Sequence, residues 1–269
     1  MATNPPAGAQ PAAQNLPLFY KSIVPLSLEQ HGNFGVDQRT KLEFTRNVHA
    51  VPVVTDEFAQ VHRHYPIVFT TNEQPTPLAL LGLKEGENLY LNDDGTWREN
   101  VYIPAYIRRY PFMLARPAPD ADTLTLCFDE TSPEIGPEGT QKFFENNDKS
   151  QVTTNVLNFC EEFEKSLQRT QFFCKELVEH GLLMDGEVSI QQTASSAPSV
   201  YRGFRMANEE KLREMRGDQA RKLVQNGALP LIYAHLFSVS IIREVFARAN
   251  PLPQAATQSP VVPEVPGNA

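Results

Sequence analysis

The stretch "NVYIPAYIRRYPFML", Asn100 to Leu114, sets three tyrosines and two arginines between and beside two prolines. Whether it is strand or helix decides where all that aromatic and guanidinium surface goes. At a period of two, Tyr102, Pro104, Tyr106, Arg108 and Tyr110 share one face, and Ile103, Ala105, Ile107 and Arg109 share the other. A helix here is bracketed by Pro104 and Pro111 after barely one turn. The pattern therefore reads as an edge or bulged strand, because Pro104 has no N–H to give a ladder. One face is aliphatic and suits a core; the tyrosine–arginine face stays partly wet.

Upstream, the chain reads as short strands between turns. "YKSIVPLSL" and "NVHAVPVVT" are β-prone runs, each broken by a proline. Thr55 or Asp56 is placed to cap a short helix over "DEFAQVHRH" that ends before Pro66. "PIVFTT" is a strand, and "LALLGLKEGENLYLNDDGTW" a hairpin arm turning at Asp94-Gly95. Arg63-His64-Tyr65-Pro66 and Arg108-Arg109-Tyr110-Pro111 share the spacing Arg-x-Tyr-Pro. Chance accounts for so short a match, yet in both places proline forces the tyrosine before it into an extended conformation.

Downstream, "TLTLCFDE" alternates as a strand, and beyond Glu130 the texture becomes helical. A long amphipathic helix is predicted from Thr154 or Asn155 to a stop at Gly181, with Val156, Phe159, Cys160, Phe163, Leu167, Cys174, Leu177 and Val178 on its stripe. "GEVSIQ" returns as a strand. Asn208 caps a helix, Gly227 ends another, and a final helix runs from Pro230 to about Ala249. His235 lies within the last stripe, where a satisfied buried histidine is the ordinary reading.

The fold class that follows is α+β: a β-rich half over residues 18–130, with a mainly helical half over 131–249 packed against it. These form one domain between Pro-rich tails, 1–17 and 250–269, that are expected to be disordered. With 269 residues the chain is long enough for a sizeable core. A net charge of −8 argues against a general nucleic-acid partner. No run of about 18 apolar residues appears, so no transmembrane segment is expected. Three cysteines at wide spacing fit reduced thiols in a cytoplasmic protein.

Chemistry is hard to find. His62-x-His64 lacks a third ligand at a diagnostic spacing, so no metal is expected. Nucleophile-elbow, zincin, P-loop and dinucleotide signatures are absent, and no cofactor is expected. Tyrosine and arginine, by contrast, dominate binding hot spots because each joins large contact area to a polar end. Trp97, Tyr102, Tyr106, Arg108, Arg109 and Tyr110 are therefore expected to form one surface that grips a protein or peptide partner. Tyr233 and Phe237 fall outside the last helix's main stripe and point to a homodimer.

These segments, with "LLGLKEGENLYL", "GTWRENVYIPAYIRRYPFML", "GFRMANEEKLREM" and "NGALPLIYAHLFSV", resemble the bacterial SapC family over about residues 18–248. The family takes its name from an association with surface-layer proteins. Its members also occur alongside TonB-dependent receptors, flavin-dependent tryptophan-halogenase-like proteins and cupin-like oxygenases. The resemblance carries over no catalytic residue. It implies a non-catalytic binding accessory of surface-protein or TonB-receptor systems, the alternative being an enzyme or enzyme subunit of an oxygenase- or halogenase-type system.

Overall fold

The computed structural model describes residues 16–116, 123–191 and 198–251. Most of both expected tails lies outside the described residues. The strands are β1 (Ile23–Pro25), β2 (Gly35–Val36), β3 (Ala50–Pro52), β4 (Ile67–Phe69), β5 (Pro77–Leu80), β6 (Phe112–Ala115), β7 (Thr125–Asp129), β8 (Ile135–Gly136), β9 (Gln141–Lys142), β10 (Phe144–Glu145), β11 (Asp148–Lys149), β12 (Leu183–Ile190) and β13 (Ser199–Ala207). The helices are α1 (Leu28–His31), α2 (Phe58–Val61), α3 (Ala105–Arg109), α4 (Gln151–Glu179), α5 (Glu209–Arg213), α6 (Gly217–Gln225), α7 (Ala228–Val239) and α8 (Ile242–Ala249). Sheets dominate the N-terminal half and helices the C-terminal half, so the architecture is α+β.

A five-stranded antiparallel sheet has the order β12-β13-β4-β5-β3, and a three-stranded one the order β1-β7-β6. The long helix α4 packs on β6 and on the 3-10 turn Thr55–Glu57. It starts three or four residues before the predicted Thr154 or Asn155, because Ser150 accepts the Thr153 N–H at 3.3 Å and is the cap. Cys160, Phe163, Cys174 and Leu177 are buried as its stripe requires, whereas Val178 is exposed. The main core draws on both halves, joining Val51, Phe58, Tyr65 and Leu81 to Leu177, Leu223, Ile232 and Val245.

Three expectations need correction. The stretch from Asn100 is not an edge strand: α3 forms inside it, with the Ile107 and Arg108 N–H groups bonded to Pro104 O at 3.0 and 3.1 Å. One turn is all the two prolines leave, and one turn is what forms. Tyr110 is already extended (φ −56°, ψ 136°) ahead of Pro111, and β6 begins at Phe112. Between Glu130 and α4, small two-residue strands, β8 to β11, come before any helix. Strand "GEVSIQ" gains a partner the sequence reading omitted, the nine-residue β13.

The predicted last helix is two. After α7 the chain breaks at Ser240–Ile241 and resumes as α8. Taken together, Ala228–Ala249 reach 22 residues, with an 18-residue window at a mean hydropathy of 1.4. By length and composition alone that is enough to cross a membrane. In the fold, Ile232, His235, Ser238, Ile242 and Val245 from this span are buried.

His235 is wholly buried and occupies a seam in the larger sheet. Only Arg205↔Phe69 pairs β13 with β4. Two residues on, Ala207 N–H donates to His235 Nε2 at 2.9 Å while Nδ1 lies 2.8 Å from Ile67 O. Ser238 Oγ accepts the Ile67 N–H at 2.8 Å. Side chains from α7 thus satisfy backbone groups where the ladder stops.

Candidate functional site

The two Arg-x-Tyr-Pro corners share the same order of elements, a short helix, a Tyr-Pro step and a strand, although the Tyr110-Pro111 peptide is cis and the Tyr65-Pro66 peptide is not. They send their tyrosines to different places. Tyr65 is fully buried, donates to Tyr102 O and accepts the Trp97 indole N–H at 3.1 Å. Trp97, 8% exposed and stacked on Tyr90 at 6.2 Å, belongs to the main core. Tyr110 is 6% exposed and packs with Phe44, Tyr20 and Phe19.

The six residues expected to share one surface therefore separate. Trp97, Tyr106, Arg109 and Tyr110 are buried, Tyr102 is half-buried, and Arg108 is exposed. The helix explains the split: residues two apart diverge by about 200°, so Tyr106 and Arg108, which share a face of a strand, face opposite ways.

Arg109 is caged. Its guanidinium lies 4.3 Å from the Phe163 ring centroid, 5.1 Å from Tyr106 and 5.9 Å from Tyr20. Nη1 donates to Glu164 at 3.3 Å, and Nε has no hydrogen-bond partner among the described residues. Burial raises the pKa of the half-buried Glu164 carboxyl, with Arg109 pulling it down. Burial also pushes the neighbouring Cys160 thiol up to about 12, so it is no nucleophile near neutrality.

Arg108 is held differently. Nε donates to Ile103 O at 3.0 Å and Nη2 to the Tyr102 hydroxyl at 2.9 Å. Its guanidinium carbon lies over the Tyr102 ring at 5.4 Å and over the Phe159 ring at 5.2 Å. Behind Tyr102 sits Glu57, 5% exposed, which accepts from Tyr102 Oη at 3.0 Å, Ala105 N–H at 2.8 Å and Val54 N–H at 3.0 Å. Burial outweighs these donors and raises its pKa.

Arg108, Arg109 and Arg39 line a shallow groove of about 300 Å³ whose walls include Tyr110, Phe112, Phe159 and Asn155. Arg39 is engaged: it pairs with Glu134 at 3.0 Å, donates to Tyr110 O at 2.6 Å and covers the Phe44 and Tyr110 rings. Of the three guanidiniums, Arg108 alone has no carboxylate in salt-bridge contact among the described residues. The arrangement offers a preordered cation on an aromatic bed, beside a partly apolar groove. Among the described residues, no group of three or more His, Cys, Asp or Glu is placed to hold a metal.

Sequence reasoning missed Arg39, Glu57 and Phe159, which lie far along the chain from the arginine pair and carry no motif. Residues 26–245 match the SapC family model. The chain belongs to the SapC family. No curated protein and no solved structure matches it. The SapC match covers all of α3 and the groove, together with Glu57, Trp97 and the first half of α8.

Proposed function

We propose that this SapC-family chain is a non-catalytic accessory protein that binds a protein or peptide, in surface-protein or TonB-receptor-linked systems of bacteria. The groove beside α3 is its contact, and Arg108 receives an anionic group of the partner, a carboxylate or its equivalent. One observation carries the reading: an exposed guanidinium fixed by two hydrogen bonds and two rings, with no carboxylate in salt-bridge contact among the described residues. A cation held in place loses little rotamer freedom on binding, which is what separates a hot spot from a solvated arginine. Arg39 and Arg109, each paired with its own carboxylate, shape the groove. Three free thiols, Cys127, Cys160 and Cys174, support placing the protein in the cytoplasm within this reading.

The test compares wild type with Arg108→Ala and Arg108→Lys as baits in the native cell, followed by titration of each purified partner against all three. Arg108→Ala is expected to lose affinity by about 1–3 kcal/mol, as truncating a hot spot does, with Lys restoring little of it. A partner that binds all three equally removes Arg108 from the contact and this groove from the proposal.

A further inference from the structure

Away from that groove, α7 carries an aromatic ridge. Tyr233 and Phe237, one turn apart, are 37% and 64% exposed, with ring centroids 5.9 Å apart. The ridge borders a depression of about 560 Å³ between α7 and the β12–β13 pair, walled by Val188, Met206 and Leu236. A second depression, of about 640 Å³, continues along α8 past Phe246 to Asn250. Arg243 lines both. Its side chain is exposed and makes no ion pair or hydrogen bond among the described residues. The nearest acid on the groove wall, Glu209, is already paired with Arg213 at 2.6 Å.

The described chain stops at Pro251, at the far end of this groove, and 18 residues follow. They include "PVVPEVP", Pro260 to Pro266, in which prolines recur at every third position. A polyproline II helix has three residues per turn, so in that form Pro260, Pro263 and Pro266 would line one edge. Such edges are what aromatic grooves bind, because the peptide is ordered before it docks. Glu264 is the one charged side chain in residues 252–269. It falls inside the proline repeat, as Arg243 falls inside the groove.

We propose that residues 260–266 dock back onto this groove of their own chain, with prolines against Tyr233 and Phe237 and Glu264 paired with Arg243. The reach suffices. From Pro251 back to Arg243 along α8 is about 12 Å at 1.5 Å per residue. The 13 residues from Pro251 to Glu264 span up to about 40 Å in the polyproline form, which leaves ample slack for Leu252–Ser259 to reverse direction. The tail thereby covers Phe237, the most exposed aromatic side chain among the described residues.

The test uses the full chain with p-benzoylphenylalanine placed at position 237, irradiated at micromolar concentration and digested for mass spectrometry. The expected product is an intramolecular cross-link to residues 260–266, with a yield independent of protein concentration. Arg243→Glu should lower that yield roughly two- to fivefold, the worth of an exposed ion pair, and Glu264→Arg on that background should restore it. Cross-links that join two chains, with a yield rising with concentration, overturn the proposal and give the ridge to a second copy. Cross-links to neither, or a yield indifferent to both charge changes, overturn it as well.

Discussion

The Tyr102 hydroxyl donates to the Glu57 carboxylate at 3.0 Å while accepting from Arg108 Nη2 at 2.9 Å, so a buried acid positions an exposed cation through one phenol. Tyr102→Phe keeps the ring under Arg108 and breaks both bonds. Stability should fall by about 1 kcal/mol, and Arg108-dependent partner binding should weaken although Arg108 itself is untouched. Chemical denaturation and titration of the partner give the two values.

Glu57 has a pH signature of its own. A carboxyl whose folded pKa lies above its starting value of 4.5 is favoured by folding in its protonated form. Its contribution is fully present below about pH 4.5 and is lost as pH rises through the folded value. Urea denaturation from pH 4 to 8 should show wild type losing stability over that interval relative to Glu57→Gln. Parallel curves would contradict the raised pKa.

His235 carries the opposite sign. Burial lowers its pKa from 6.5 to about 4, so the fold holds it neutral. Its contribution is present above pH 6.5 and is lost as pH falls towards 4, amounting to about 3 kcal/mol over the full interval. Denaturation midpoints of His235→Gln should lack most of this acid-side decline, from a lower plateau.

Arg109→Ala and Arg108→Ala should behave as different kinds of change. Removing Arg109 empties a cage of three rings and strands the half-buried Glu164, at a cost of about 3 kcal/mol. Removing Arg108 costs about 1 kcal/mol or less, because the two hydrogen bonds and ring contacts it gives up are solvent-exposed. Melting temperatures of the two variants, measured side by side, separate scaffold from contact.

The cysteines should be inert in the native state. Burial raises all three thiol pKa values, those of Cys160 and Cys174 to about 12. At pH 8 only about one thiol in ten thousand is then ionised at the latter two. Iodoacetamide should label none of them on a timescale of minutes and all three in denaturant.

The sheet-then-helix order was legible because period-two and period-3.6 patterns segregate along the chain. Cap residues such as Asn208, and the turn at Asp94-Gly95, where Asn92 N–H bonds Thr96 O at 2.8 Å, were legible as local chemistry. Asn100–Leu114 was misread because five helical residues give a periodicity no measure to work on. At that length, alternation and a single turn predict many of the same apolar positions, and tertiary contacts decide. Here the Glu57 bond to Ala105 N–H, 48 residues away in sequence, supplies the start of the helix. The groove was illegible for the same reason: Arg39, Arg108 and Phe159 meet only in three dimensions.

An imidazole between Ala207 and Ile67 means that the two parts of the large sheet cannot separate without first unseating a helix. The β12–β13 ribbon is bolted to the N-terminal strands by a removable pin. Any event that lifts α7 by a few ångströms, whether at its outer aromatic ridge or through the break at Ser240, uncovers the Ile67 and Ala207 amides together. Their exchange with deuterium would then keep time with each other, two protons 140 residues apart in sequence reporting a single opening.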